Sequence, residues 1–182
     1  GGGYSYDAKS YALDNAVKAG VVAVVSAGND GPNGGTVPSP GISIMAITLG
    51  DSTYVNSLPI KVADFSSRGP VTINIPLVEP FTINKPDIVA PGVDICAARA
   101  SVVTLPGPAS CIDYNHVYHS GTSMAAPHVA GAVALLLQSF PRASPSMIKN
   151  ALTLTATDLG EPITAQGSGL INVERAIKKY FR

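Results

Sequence analysis

The chain has 182 residues, enough for one domain with a sizeable core. Twelve Lys and Arg balance twelve Asp and Glu, which removes any electrostatic case for nucleic acid or an anionic membrane surface as partner. Only 13% of residues are charged and the mean hydropathy is positive, so the chain is either core-rich or part of something larger.

The chain opens on Gly1-Gly2-Gly3 and enters a helical pattern, with Ala8, Tyr11, Ala12, Ala16 and Ala19 recurring at helical spacing and Gly20 as the stop. Val21-Val22-Ala23-Val24-Val25 is apolar without alternation, as expected of a strand covered on both faces in a parallel sheet. A Gly/Pro-rich loop, Asp30 to Gly41, leads to a second buried strand over Ile42 to Leu49. Extended segments are expected around Pro91-Gly92, from Asp87 to Ala97, and again from Ile112 to His119. Thr122 to Phe140 is the longest helical pattern. Its apolar stretch, Val129 to Leu137, is too short to span a bilayer. Ser144-Pro145 is an N-cap with a first-turn proline and opens a helix to about Leu154, and Asn172 caps a last one, Val173 to Tyr180. Helices alternating with buried strands give an α/β fold with a parallel sheet.

Cys96 and Cys111 fit no zinc spacing. They are two separate buried thiols or one disulfide, the latter fitting an exported protein. Pro106-Gly107-Pro108 between them suggests an irregular hairpin that brings the two together, within about 7 Å between Cα atoms if bridged. No Asp-rich cluster marks a metal site, and no leader-like segment opens the chain, which says little for a processed protein.

Two segments carry chemistry. In Ser120-Gly121-Thr122-Ser123-Met124-Ala125-Ala126-Pro127-His128-Val129-Ala130-Gly131, a serine stands at a helix start, where free N–H groups and the positive dipole end stabilise nearby negative charge. Gly121 and Ala125 are small enough to let a substrate backbone approach, and Pro127 removes the hydrogen bond to the Ser123 carbonyl. A lone serine here would be an ordinary cap. In Val24-Val25-Ser26-Ala27-Gly28-Asn29-Asp30-Gly31-Pro32, an asparagine follows the end of a buried strand, the edge at which open α/β sheets bind ligands. Its amide can donate to a developing oxyanion. Alone, Asn-Asp-Gly-Pro is more often a turn.

Together and in this order, the two segments resemble the subtilisin-like serine proteases. Phe65-Ser66-Ser67-Arg68-Gly69-Pro70, Lys85-Pro86-Asp87-Ile88-Val89-Ala90-Pro91-Gly92 and Gly169-Leu170-Ile171-Asn172 extend the resemblance over essentially the whole chain. It implies a subtilisin-like parallel-sheet fold, present here as its C-terminal portion, and hydrolysis of protein or peptide substrates through an acyl-enzyme on Ser123. The oxyanion would lie between the Asn29 side chain and the Ser123 backbone N–H. Ser26, Ala27 and Gly28 would wall the pocket for the residue before the scissile bond, and Gly1 and Gly2 would end the strand that pairs with substrate. Similar proteases usually have glycine on the pocket floor where this chain has Pro38, which narrows the pocket. Family members often bind structural calcium, but no metal residue and no cofactor is assigned to this chain. An extracellular location is expected.

The family's catalytic triad also needs an Asp in an Asp-x-Gly strand end and a His in a His-Gly motif, both placed before Gly1 by the resemblance. Asp158-Leu159-Gly160 fits the letters but follows Ser123 in a loop between helices. His128 lies inside the nucleophile motif as a packing residue, His119 fits a strand or cleft role, and His116 has no case beyond exposure. The 182 residues alone are therefore expected to be inactive. An α/β-hydrolase elbow nearly fits at Gly121 to Ala125, but that fold needs its acid and then its His after the serine, and His128 comes too soon. A non-catalytic structural or interaction role is the other alternative, decided by whether Asp-x-Gly and His-Gly precede Gly1. The apolar Val21 to Val25 strand, with its neighbour in the fold missing, is expected to pair with the N-terminal half of the domain or with a second copy.

Overall fold

The computed structural model describes residues 4–53, 59–100 and 110–180. The strands are β1 (Tyr4–Ser5), β2 (Val24–Ser26), β3 (Ile47–Ser52), β4 (Val71–Asn74), β5 (Phe81–Ile83), β6 (Ile88–Pro91), β7 (Ile95–Ala98) and β8 (His116–His119). The helices are α1 (Ala8–Lys18), α2 (Thr122–Ser139), α3 (Pro145–Thr153), α4 (Ile163–Gln166) and α5 (Val173–Tyr180). A parallel sheet in the order β2-β3-β6 forms the centre, with Val24 opposite Ile47 and Leu49 opposite Ile88. All six residues of β3 are buried, as the middle strand of a covered parallel sheet requires. β1 runs parallel to β4, which pairs antiparallel with β5, and β7 and β8 form an antiparallel hairpin.

The main core lies between the central sheet and the helices. Ala125, Val129, Val133 and Leu136 of α2 pack on Ile47, Leu49, Ile88 and Ala90, with Ile148 and Leu152 of α3 and Ala176 of α5 behind. Each fully buried Leu or Ile contributes about 1.5–3 kcal/mol. Pro127, the sixth residue of α2, leaves the helix without the bond that an N–H there would make to the Ser123 carbonyl. Ser144 caps α3 by accepting from the Met147 N–H at 3.2 Å, and Asn172 caps α5 by accepting from the Arg175 N–H at 2.9 Å.

Three strand boundaries differ from the sequence reading. The segment expected to be extended over Ile112 to His119 is a strand only over His116–His119, because Asp113 Oδ1 accepts from the Asn115 N–H at 2.7 Å and holds the preceding residues in a turn. The strand expected over Val21 to Val25 is confined to Val24–Ser26, because the Val21 N–H bonds the Ala16 carbonyl at 3.0 Å and completes the exit from α1. The strand expected over Ile42 to Leu49 runs instead over Ile47–Ser52. Buried Asp14 holds residues 43–46 in a turn: its Oδ1 accepts from the Ser43 hydroxyl at 2.6 Å and the Met45 N–H at 3.1 Å, and its Oδ2 accepts from the Tyr6 hydroxyl. Burial and that carboxylate raise the Tyr6 pKa. The β4–β5 hairpin was not anticipated. Its signal is the alternation of buried Val71 and Ile73 with half-exposed Thr72 and Asn74, interrupted by Pro76 and Pro80.

Cys96 on β7 is disulfide-bonded to Cys111, with Cα atoms 5.9 Å apart. Pro106-Gly107-Pro108, the turn suggested between them, lies outside the described residues. On one side β2 pairs with β3, and among the described residues its other edge carries no strand.

Candidate active site

The chain from Ser26 to Gly31 leaves the C-terminal end of β2 beside the start of α2. Three contacts fix it from the Phe65–Ser67 side: the Ser67 N–H donates to the Gly28 carbonyl (3.0 Å), the Asp30 N–H to Ser67 Oγ (3.0 Å), and the Gly31 N–H to the Phe65 carbonyl (2.8 Å). Gly28 has a φ of +102°, and a Cβ there would lie 2.8 Å from both Pro38 Cδ and Ser67 Oγ. Only glycine meets both constraints. Pro38 thus packs directly on the back of Gly28.

From the other side the loop is held by Thr122, the first residue of α2, which is 1% exposed. Its backbone N–H donates to Asn29 Oδ1 at 3.0 Å. Its hydroxyl lies 3.1 Å from the same Oδ1, 3.3 Å from the Gly28 carbonyl and 3.2 Å from the Gly28 N–H. One hydroxyl proton serves one of those acceptors at a time, while the oxygen accepts from Gly28. Asn29 therefore has its carbonyl oxygen engaged inward, and its Nδ2 is the face left over. That amide lies over Gly121, where a Cβ would be 3.4 Å from Nδ2.

Ser123 is exposed at the second position of α2. The first N–H groups of a helix have no intrahelical acceptor, so the Ser123 N–H points outward from a positive helix end. Gly121 sets the approach: its φ is +152° and its N–H donates to the Gly92 carbonyl at 2.9 Å. An exposed hydroxyl, an outward N–H and an oriented amide thus meet at one corner of the sheet. That corner can supply a nucleophile and two donors to a carbonyl oxygen.

The pocket residues divide. Ser26 and Gly28 are half-buried, whereas Ala27 is fully buried and its methyl packs in a second core with Val37, Ile42 and Ile73, leaving only its backbone for a ligand. Gly1 and Gly2 lie outside the described residues. Among the described residues, no side-chain hydrogen bond joins Ser123 to a histidine. His116 Nδ1 is 2.7 Å from Asp113, and it holds that carboxyl below its ordinary pKa. His119 sits on β8 opposite Ile95. His128, expected to pack inside, is exposed; its Nδ1 lies 2.9 Å from the Met124 carbonyl, and it lines a shallow groove with Ile95, Ala97, Met124 and Pro127. Among the described residues no three His, Cys, Asp or Glu side chains converge on a metal-sized point.

Two residues were missed by sequence reasoning. Thr122 stands in the motif next to Ser123, but only the folded contact across 93 residues to Asn29 reveals it as the clasp. Asp51, at the end of β3, is fully buried with neither carboxylate oxygen hydrogen-bonded among the described residues. Burial pushes its pKa up to about 7, moderated by the N–H groups of Gly121 and Gly92. Those two N–H groups are already bonded to the Gly92 and Ser52 carbonyls, so they act on Asp51 as nearby dipoles.

The Subtilase family profile matches residues 1–170. The chain is 38% identical over 173 residues to serine protease AprX of Bacillus subtilis, covering 91% of this chain and 37% of that protein. It is 37% identical to the minor extracellular protease Vpr of the same organism, covering 91% of this chain and 22% of Vpr. Tripeptidyl-peptidase 2 of Drosophila melanogaster is 39% identical, with 88% of this chain covered and 11% of that protein. The chain thus spans well under half the length of these curated relatives. Among solved structures, fervidolysin from Fervidobacterium pennivorans, a keratinolytic enzyme related to subtilisin, aligns with a TM-score of 0.72 at 31% identity over 95% of this chain and 25% of its own. A Pseudoalteromonas arctica protease aligns with a TM-score of 0.71 at 26% identity over 98% of this chain and 48% of its own. The α/β architecture with its parallel sheet is that of these subtilisin-related proteases.

Proposed function

The chain belongs to the subtilase family, and from that premise we propose that it supplies the nucleophile and oxyanion hole of a serine endopeptidase. Ser123 Oγ attacks the scissile carbonyl carbon. Its proton passes to a histidine base, the amine leaves, and water then hydrolyses the acyl-enzyme. The oxyanion is held between Asn29 Nδ2 and the Ser123 backbone N–H.

The observation that carries this reading is the clasp of Thr122 on Asn29. An amide whose oxygen accepts from the Thr122 N–H at 3.0 Å needs no reorientation to present Nδ2 when the oxyanion forms. Ser26, the Ala27 backbone and Gly28 wall the specificity pocket, and Pro38 behind Gly28 narrows it. The substrate strand pairs with the segment that ends at Gly1 and Gly2.

The histidine and its aspartate come from outside these 182 residues, because His116 and His128 are engaged elsewhere and His119 has no bond to Ser123. The 182-residue chain alone is then inactive. The open edge of β2 accepts the rest of the domain or, in its absence, a second copy. Structural calcium, which the resemblance allows, is assigned to no residue. The Cys96–Cys111 disulfide suits secretion, the setting named for Vpr. Among the described residues no helix is long and apolar enough to cross a membrane.

Replacing Asn29 by leucine in the complete protease tests this reading. The expected result is a kcat lower by about a hundredfold or more with KM nearly unchanged, a magnitude known from subtilisin itself. A change confined to KM would make Asn29 a ground-state contact and overturn the assignment.

A further inference from the structure

Asp51 ends β3 directly beneath the turn that delivers Ser123. Its side chain shares the face of β3 that carries Leu49, the face covered by α2. It presses on the backbone of Gly92: a Cβ there would lie 2.5 Å from Oδ1 and 2.7 Å from Oδ2. Gly92 is tied to β3 through its N–H on the Ser52 carbonyl at 3.2 Å, and its own carbonyl accepts the Gly121 N–H at 2.9 Å. The Asn29 amide faces the Cβ side of Gly121. Gly121 is therefore tied through its N–H to Gly92, which rests on Asp51, and is faced by Asn29, two residues before Ser123.

We propose that Asp51 is a positioning residue for the nucleophile: as an uncharged carboxylic acid it fills the space under Gly92 and Gly121, and so fixes the turn from which α2 aims Ser123. The proposal rests on Ser123 being the nucleophile. Neither oxygen of this fully buried carboxyl has a hydrogen-bond partner among the described residues, and an unpaired buried carboxylate anion is far costlier than the neutral acid. No charge offsets that cost. Of the charged and titratable side chains on the segments packed around it, Lys61, Asp64, Asp94, His119 and His128 are exposed and Arg68 is half-buried, and none enters the causes of its raised pKa. The uncharged form also suits the chemistry, since a fixed anion beside Gly92 would oppose the negative charge that develops near Ser123. A hydrophobic residue of this size would fill the space equally but would lack the polarity that the adjoining Gly92 and Gly121 dipoles favour.

The test uses the complete protease, with active sites counted by fluorophosphonate titration so that kcat refers to folded, competent enzyme. Asp51→Asn, which keeps shape and polarity without charge, should hold kcat within about twofold of the parent. Asp51→Ala should lower kcat by about tenfold to a hundredfold at unchanged KM, the cost of a loosened attack geometry. Should the alanine variant not fold, Asp51→Ser gives the same reading. A loss in Asp51→Asn as large as in the alanine variant would overturn the proposal, since a charge would then be required. So would an alanine variant that melts lower but keeps full kcat per titrated site, since Asp51 would then serve stability alone. An unmodified protease that takes no fluorophosphonate contradicts the nucleophile assignment, and this proposal with it, before any variant is made.

Discussion

Asp87, just before β6, and Asp51, at the end of β3, belong to neighbouring strands of one sheet, yet their surroundings are opposite. Asp87 is saturated: Oδ2 accepts from Lys85 Nζ at 2.8 Å and the Thr48 N–H at 2.7 Å, and Oδ1 from Lys149 Nζ at 3.0 Å. Asp51 has none of this. Asp87 lies at the N-terminal end of the parallel strands, and its partners pin β3, β6 and α3 in register. Asp51 lies at the C-terminal end, where open α/β sheets place their chemistry. The sheet thus pairs its carboxylate at one end and leaves an unpaired one at the end where Ser123 is proposed to act. Pairing is not free even at the first end. Burial pulls Lys85 down to about 8 in spite of the attraction of Asp87, with Lys149 adding repulsion. The cluster is better described as a register lock than as a source of stability.

The sharpest way to break the comparison is Asp87→Asn. It leaves Lys85, 2% exposed, without a counter-charge, and should cost about 3–5 kcal/mol in chemical denaturation. A loss below about 1 kcal/mol would mean that the cluster locks nothing.

Next is the pH dependence of stability at Asp51. Its folded pKa, about 7, lies above the ordinary 3.8, so between those values the folded state binds more protons than the unfolded one. Its contribution is fully present below about pH 4 and is lost as pH rises through about 7. Asp51→Asn should remove that decline, so that it gains on the parent by a few kcal/mol between pH 4 and pH 8, read from denaturation midpoints at each pH. Parallel curves for the two proteins would show the carboxyl to be solvated and the contrast with Asp87 to be false.

The smallest effect is expected of Lys149→Met. Lys149 is more exposed than Lys85, and Asp87 keeps Lys85 and the Thr48 N–H in its absence. About 1 kcal/mol, measured by the same denaturation, is expected. A loss equal to that of Asp87→Asn would make Lys149 the principal partner.

Four of the five helices among the described residues were legible from the sequence because caps and stops are local: Gly20, Ser144-Pro145 and Asn172 each mark an end that the fold keeps, whereas the single turn α4, with no side-chain cap, was missed. The family was legible because the segments around Ser123 and Asn29 are contiguous and specific, and the roles of the two residues remain proposed. The strands were placed only approximately. A continuous apolar run does not show where pairing begins, and here the Val21 N–H and Asp14 take the adjoining residues into a helix exit and a turn. Asp51 was illegible for a different reason. Leu49-Gly50-Asp51-Ser52 reads as a strand end running into solvent, and only the packing of Gly92 and Gly121 over it reveals a buried acid. Thr122 was hidden likewise, since its partner lies 93 residues away.

Ser123 is proposed as the nucleophile, with a base drawn from beyond these 182 residues. The most direct measurement is fluorophosphonate labelling of the complete protease and of the 182-residue chain in parallel, with the modified peptide identified by mass spectrometry. Stoichiometric label on Ser123 is expected in the complete protease, and none on a comparable timescale in the chain alone. Label on another serine, or rapid stoichiometric labelling of the isolated chain, would contradict it.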